Sequence, residues 1–152
     1  MRQIRQGVFE TNSSSTHSIT IYSARDRYIY PTYIPPIEFG EFGWEQNSYP
    51  HFTDKLSYVI TMLASKNDIN EIEDFLKLKE FHWLKDAVMS HCGQEIEVKT
   101  QASDYAPLGY VDHLAIDVLD EFLVPDEGQF KINVLEFVFN EKYAFETDND
   151  NR

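Results

Sequence analysis

Apolar and polar residues alternate at the start of the chain in a pattern that predicts two strands. Residues 2–9 alternate between the two classes, and the β-branched run SITIY, Ser18 to Tyr22, follows a polar segment. Residues 23–50 then combine four prolines and two glycines with many Tyr and Phe residues. This composition predicts an ordered aromatic loop with at most a short edge strand near residues 33–39.

The middle of the chain shows helical spacing three times. The first helix is predicted to begin at Thr53 as its N-cap, and its inward face is Leu56, Val59, Ile60 and Leu63. The second is predicted to start near Asp68, with acidic residues in its first turns. The third runs from Phe81 to His91, with Phe81, Leu84, Ala87 and Val88 on one stripe, and ends before Gly93.

Strand patterns and one further helix make up the rest of the chain. The alternating run EIEVKT, Glu95 to Thr100, predicts a strand, and residues 101–109 predict a loop. Residues 112–123 have helical spacing and stop before Pro125. The run from Phe130 to Phe139 has apolar residues on both faces, which predicts a central strand.

These elements together predict a single α+β domain over residues 1–147. Its sheet is expected to be mixed or mainly antiparallel, with about four helices packed on it. Residues 148–152, DNDNR, are expected to form a frayed acidic tail.

Net charge narrows the function classes. The 152 residues include 26 acidic and 13 basic ones, for a net charge of -13. Because nucleic-acid affinity comes from Lys and Arg on phosphates, we expect no direct nucleic-acid binding. The single cysteine, Cys92, fits a reducing cytoplasm, and no apolar stretch is long enough to span a bilayer. We therefore expect a cytoplasmic protein without a membrane partner.

The charge is distributed unevenly along the chain. Residues 1–30 contain four arginines against Glu10 and Asp26, a balance of +2. Residues 112–152 contain 11 acidic residues against three basic ones, a balance of -8. The acidic half would suit a basic protein surface, and the basic start would suit an anion.

The polar run ETNSSSTHS, Glu10 to Ser18, lies in that basic part. Candidate ligand-binding residues for a phosphate or nucleotide are Arg2, Arg5, Asn12, Ser13, Ser14 and Ser15, which supply cationic, amide and hydroxyl donors. His17 could move a proton, and Glu10 could orient it. A solvated turn between two strands explains the same composition without a ligand.

A second constellation is GYVDH, Gly109 to His113. Asp112 could orient His113, and with Glu10 and His17 these residues would form the catalytic set of a phosphoryl-transfer site. The simpler interpretation is a capped helix with an exposed histidine. No metal or other cofactor is expected, because the acidic residues around FGEFGWE lack the EF-hand pattern.

The run RQGVFETNSSSTHS, Arg5 to Ser18, resembles the N-terminal signature of a family of small phage- and prophage-associated proteins of Gram-positive bacteria. The resemblance covers these 14 residues. It implies a phage or mobile-element context, with the host cytoplasm as the place of action, and it implies no activity.

Two functions remain open at this point. The first is a small acidic interaction protein, for example an anti-defence inhibitor, that binds a basic, nucleic-acid-binding host protein. Its expected partner-binding residues are Phe39, Phe42, Trp44, Asp117, Asp120 and Glu121, although the three rings could simply cover the core. The alternative is a nucleotide- or phosphate-handling enzyme that uses the N-terminal loop.

Overall fold

The structure, a computed structural model, describes residues 26–42, 47–49, 51–100, 106–111, 124–143 and 145–147. The strands predicted over 2–9 and 18–22, the helix predicted over 112–123 and the tail predicted over 148–152 lie outside these residues.

Four helices are present in the described part of the chain. They are α1 (Phe52–Lys66), α2 (Ile72–Leu76), α3 (Lys79–Cys92) and α4 (Glu127–Phe139). Among these residues, no helix combines the length and the apolarity that crossing a membrane requires.

Helix α1 lies at the centre of the packing. The predicted inward residues Leu56, Val59, Ile60 and Leu63 are all buried, which confirms the predicted face. The helix begins at Phe52 after His51, so the prediction of Thr53 as its N-cap was wrong. Strands and helices cover α1 from several sides, and most of its residues from Lys55 to Ala64 are buried.

Helices α2 and α3 agree with their patterns to different degrees. In α3 the predicted stripe is buried, and the helix ends at Gly93, whose φ of 73° is the left-handed conformation that glycine adopts most readily. Helix α2 is shorter than predicted. Asp68 has a φ of 55°, and the Ile69 amide donates to the Ala64 carbonyl oxygen, so the chain turns there instead of starting a helix.

The predicted central strand over Phe130 to Phe139 is wrong, because this segment forms helix α4. The side chain of Asp126 accepts a hydrogen bond from the Gln129 amide at 2.9 Å and caps the helix. Helix α4 packs against both α1 and α3, so it is apolar on more than one side. Its buried residues nevertheless follow helical spacing: Phe130, Val134, Phe137, Val138 and Phe139.

Short strands complete an α+β fold, as predicted. The described pairs are β1 (Ile37–Glu38) parallel to β4 (Val98–Lys99), β2 (Glu41–Phe42) parallel to β5 (Tyr110–Val111), and β3 (Asn47–Tyr49) antiparallel to β6 (Phe145–Thr147). The pairing is therefore mixed, and the strands predicted near 33–39 and over 95–100 are present in shortened form.

Removing the cap of α4 should measurably weaken the fold. We expect Asp126→Ala to lower the free energy of unfolding by about 1 kcal/mol, because the Gln129 amide loses its acceptor. Asp126→Asn keeps an oxygen at that position and should stay close to wild type. Urea unfolding of the three proteins measures this, and equal stability of the alanine and asparagine variants would contradict the capping role.

Candidate functional site

An open groove of about 360 Å³ lies between residues 35–42 and the first turns of α1. We call it the acidic groove, because its three charged lining residues are Glu38, Glu41 and Asp54. Thr53, Ser57 and the backbone of residues 35–42 form the rest of the lining. The groove therefore offers hydrogen-bonding groups and three carboxylates to whatever enters it.

Hydrogen bonds fix the backbone of the groove to α1. The Ser57 hydroxyl donates to the Glu38 carbonyl oxygen at 2.5 Å, and the Gly40 amide donates to Thr61 Oγ1 at 3.0 Å. On the other side, the Ile37 amide donates to the Glu97 carbonyl oxygen at 2.8 Å. This bonding from both sides holds the shape of the groove before any ligand arrives.

Two aromatic side chains make the floor of the groove. Phe39 and Phe42 are 1% and 4% exposed. Phe39 packs edge-on against Phe75, and Phe42 packs edge-on against Tyr58, each with ring centroids 5.0 Å apart. Burial supports the core-covering interpretation of Phe39 and Phe42, and their contact with a partner stays a prediction. Trp44 lies outside the described residues.

The carboxylates of the groove are weakly neutralised. Glu38 Oε2 lies 3.5 Å from Lys99 Nζ, but both side chains are 57% exposed, and such pairs contribute little. The described residues contain no group of three or more His, Cys, Asp or Glu arranged to hold a metal ion. The groove is thus suited to an extended segment that carries several positive charges, each of which contacts one carboxylate.

A second concentration of polar groups lies at the C-terminal end of α4. We call it the polar cluster; its members are Asp26, Lys55, Glu136, Asn140, Lys142 and Tyr143. Lys55 is 2% exposed, and its ammonium donates to the Tyr143 carbonyl oxygen at 2.7 Å and to the Asn140 carbonyl oxygen at 3.4 Å. Burial lowers the pKa of Lys55 to about 8, opposed by the negative charge of Glu141.

The remaining members of the polar cluster tie residue 26 to the end of α4. Asn140 Nδ2 donates to Asp26 Oδ1 at 2.8 Å, and Lys142 Nζ lies 3.5 Å from the same oxygen. The hydrogen bond from Asn140, followed by the charge of Lys142, lowers the pKa of Asp26. Burial first, and then the hydrogen bond to Glu136, raises the pKa of Tyr143. Since Lys55 is enclosed by protein, we interpret the polar cluster as a structural contact that fastens residue 26 and α1 to the C-terminal end of α4.

Most residues singled out in the sequence lie outside the described residues. These are Arg2, Arg5, Glu10, Asn12, Ser13, Ser14, Ser15, His17, Trp44, Asp112, His113, Asp117, Asp120 and Glu121. The phosphate-handling alternative therefore stays a prediction, as does the meeting of His17 with His113.

Sequence reasoning undervalued the acidic groove. In the sequence, the acidic residues around FGEFGWE were compared only with a calcium-binding loop, and Asp54 belongs to no recognised motif. The alternation of Ile37, Glu38 and Phe39 was a readable signal, because period-two spacing sends the carboxylate outward and both apolar side chains inward.

The chain matches no protein-family model, no curated protein and no solved structure, so its function has to be inferred from its own residues.

Proposed function

We propose that the protein is a small acidic interaction protein of the phage or prophage type, which binds a basic surface of a host protein in the host cytoplasm. The acidic groove is the observation that supports a basic partner, and the phage context rests on the resemblance of residues 5–18. An anti-defence role, in which the groove occupies a surface that would otherwise bind nucleic acid, follows from the same chemistry.

Charge supports a basic partner in two ways. The net charge of -13 attracts cationic surfaces at long range and repels nucleic acid. Within the groove, Glu38, Glu41 and Asp54 supply acceptors at short range. Long-range attraction raises the association rate, while acceptors at fixed positions select the partner's register.

The rigidity of the groove supports binding rather than a merely solvated face. Its backbone is bonded to Ser57 and Thr61 of α1, and its floor is packed with buried rings. A preformed site loses little conformational entropy when a partner binds, so this loss weakens binding only slightly. The Pro35-Pro36 pair at one end restricts the backbone further.

Neutralising two groove carboxylates should weaken binding of a cationic peptide. We expect the double substitution Glu38→Gln and Glu41→Gln to reduce the affinity for a short lysine peptide about tenfold at low salt, because two charge-assisted contacts are lost. Isothermal titration at low and at high salt measures the affinity. The difference between the proteins should shrink as salt screens these exposed charges.

The matched control changes the same amount of charge elsewhere. Glu71→Gln with Glu73→Gln removes two exposed carboxylates next to and within α2, away from the groove lining. This variant should bind nearly as tightly as wild type. If both double variants lost the same affinity, binding would depend on overall charge and the groove would not be the site.

A further inference from the structure

A second pocket, of about 260 Å³, lies between the segment after Asp26 and helices α3 and α4. We call it the aromatic pocket; its lining residues are Tyr28, Tyr30, His91, Ile132 and Leu135. Tyr30 is 64% exposed and Ile132 is 59% exposed. The volume is below the range of roughly 300–1,000 Å³ that small-molecule sites occupy, which favours one side chain of a larger partner.

His91 of the aromatic pocket is the middle ring of a stack of three, whose third ring, Phe139, is buried beneath it. The Tyr30 ring lies parallel to the His91 ring at 4.4 Å, and His91 lies parallel to Phe139 at 4.6 Å. His91 Nε2 is 2.8 Å from the Ile29 carbonyl oxygen, which fixes the orientation of the imidazole. The Tyr28 ring is tilted by 52° against the His91 ring, and the two ring centroids are 6.0 Å apart. Both faces of the His91 imidazole are thus covered by neighbouring rings. Tyr30, which is held against His91 and is the most exposed of these rings, is the one available to a ligand.

The charges around the aromatic pocket favour a cation. Lys131, next to Ile132 in α4, lies 2.8 Å from Glu127 and 3.9 Å from Asp86. Lys142 lies 3.5 Å from Asp26 and 3.6 Å from Glu136. Arg27, next to Tyr28, pairs with Glu141 at 3.0 Å, so these ion pairs together hold five carboxylates and three cationic groups, a balance of -2. The C-terminal end of α3, which is the negative end of the helix dipole, also borders the pocket through His91.

We propose that the aromatic pocket binds an arginine side chain of the basic partner, an inference that rests on the proposed function. A guanidinium is planar and stacks on an aromatic ring such as that of Tyr30, and the negative balance of the neighbouring charges favours its positive charge. A lysine ammonium is a compact, strongly hydrated charge and gains less from parallel rings. The aromatic pocket therefore distinguishes arginine from lysine, whereas the acidic groove binds either residue through its positive charge.

The test compares two peptides of equal charge. One is a short all-lysine peptide, and the other has an arginine at its centre. We expect wild-type protein to bind the arginine peptide about threefold to tenfold more tightly, from a cation–π contact. Tyr30→Leu keeps an apolar side chain but removes the ring, and should abolish this preference. In NMR titrations, the arginine peptide should shift the Tyr28, Tyr30 and His91 resonances of wild-type protein.

Tyr33→Leu is the matched control, because Tyr33 is 66% exposed and does not line the pocket. It should keep the full preference for arginine. Equal binding of both peptides to wild-type protein would overturn this inference and leave the proposed function standing. Binding of neither peptide at low salt would contradict both.

Discussion

Replacing Gly109 by alanine is expected to lower the free energy of unfolding by about 2–5 kcal/mol. A Cβ at this position would lie 2.2 Å from the Gly40 carbonyl oxygen and 2.9 Å from its amide nitrogen. Both are backbone atoms, so no side-chain rotation can relieve the overlap. The φ of 71° adds the strain that a side chain meets in left-handed backbone. Because Gly40 lines the acidic groove, the substitution should also weaken binding of basic peptides.

Gly93→Ala separates the two causes of this destabilisation. Gly93 has nearly the same φ, 73°, but a Cβ there would have no neighbour within 4 Å. Its cost should therefore be only the backbone strain, about 1 kcal/mol. Urea unfolding of both variants gives the comparison. Similar losses for the two glycines would show that the contact between residues 109 and 40 is not tight.

The stability of the protein is expected to rise between about pH 8 and pH 10 through Lys55. Its pKa is about 8 in the folded protein against 10.5 ordinarily, so the unfolded chain binds more protons in this window. The free energy of unfolding then increases with pH, by about 2 kcal/mol between pH 8 and pH 10. The loss of a buried charge is the physical cause, since the neutral amine can still donate to the Tyr143 carbonyl oxygen.

Lys55→Met isolates this effect. The variant should lose about 1–3 kcal/mol at pH 7, because buried carbonyl oxygens of residues 140 and 143 lose a donor. The gap to wild type should widen as the pH rises above 8. Tyr58 and Tyr143, whose pKa values are raised by burial, oppose the trend above about pH 10, so the comparison belongs below that pH. A gap independent of pH would contradict the lowered pKa of Lys55.

Helices that face the core on one side were readable from the sequence. The stripes of α1 and α3 were predicted residue by residue, and Gly93 marked the end of α3 correctly. Helix α4 was not recognised because it packs against two helices, and a segment that is apolar on several sides resembles a buried strand. The pair Asp126 and Gln129, three residues apart, was the signal that could have identified it.

The candidate site was less predictable, because distant residues assemble it. Glu38 and Asp54 share a groove only because Ser57 and Thr61 bind the backbone of residues 38 and 40. No local sequence pattern predicts such contacts. Strands of two residues, such as β2 and β5, are too short to produce a recognisable alternation in the sequence. Lys55 could not be predicted to be buried either, since a lysine beside an apolar stripe normally reaches solvent.

Capture from a host-cell lysate tests the central claim most directly. The baits are wild-type protein, the Glu38→Gln/Glu41→Gln variant and the Glu71→Gln/Glu73→Gln variant, each washed at low and at high salt. We expect a basic protein to be retained at low salt by wild type and by the Glu71→Gln/Glu73→Gln variant, and to be lost from the Glu38→Gln/Glu41→Gln variant. Retention of no basic protein by any bait at either salt, or equal retention by all three, would contradict this expectation.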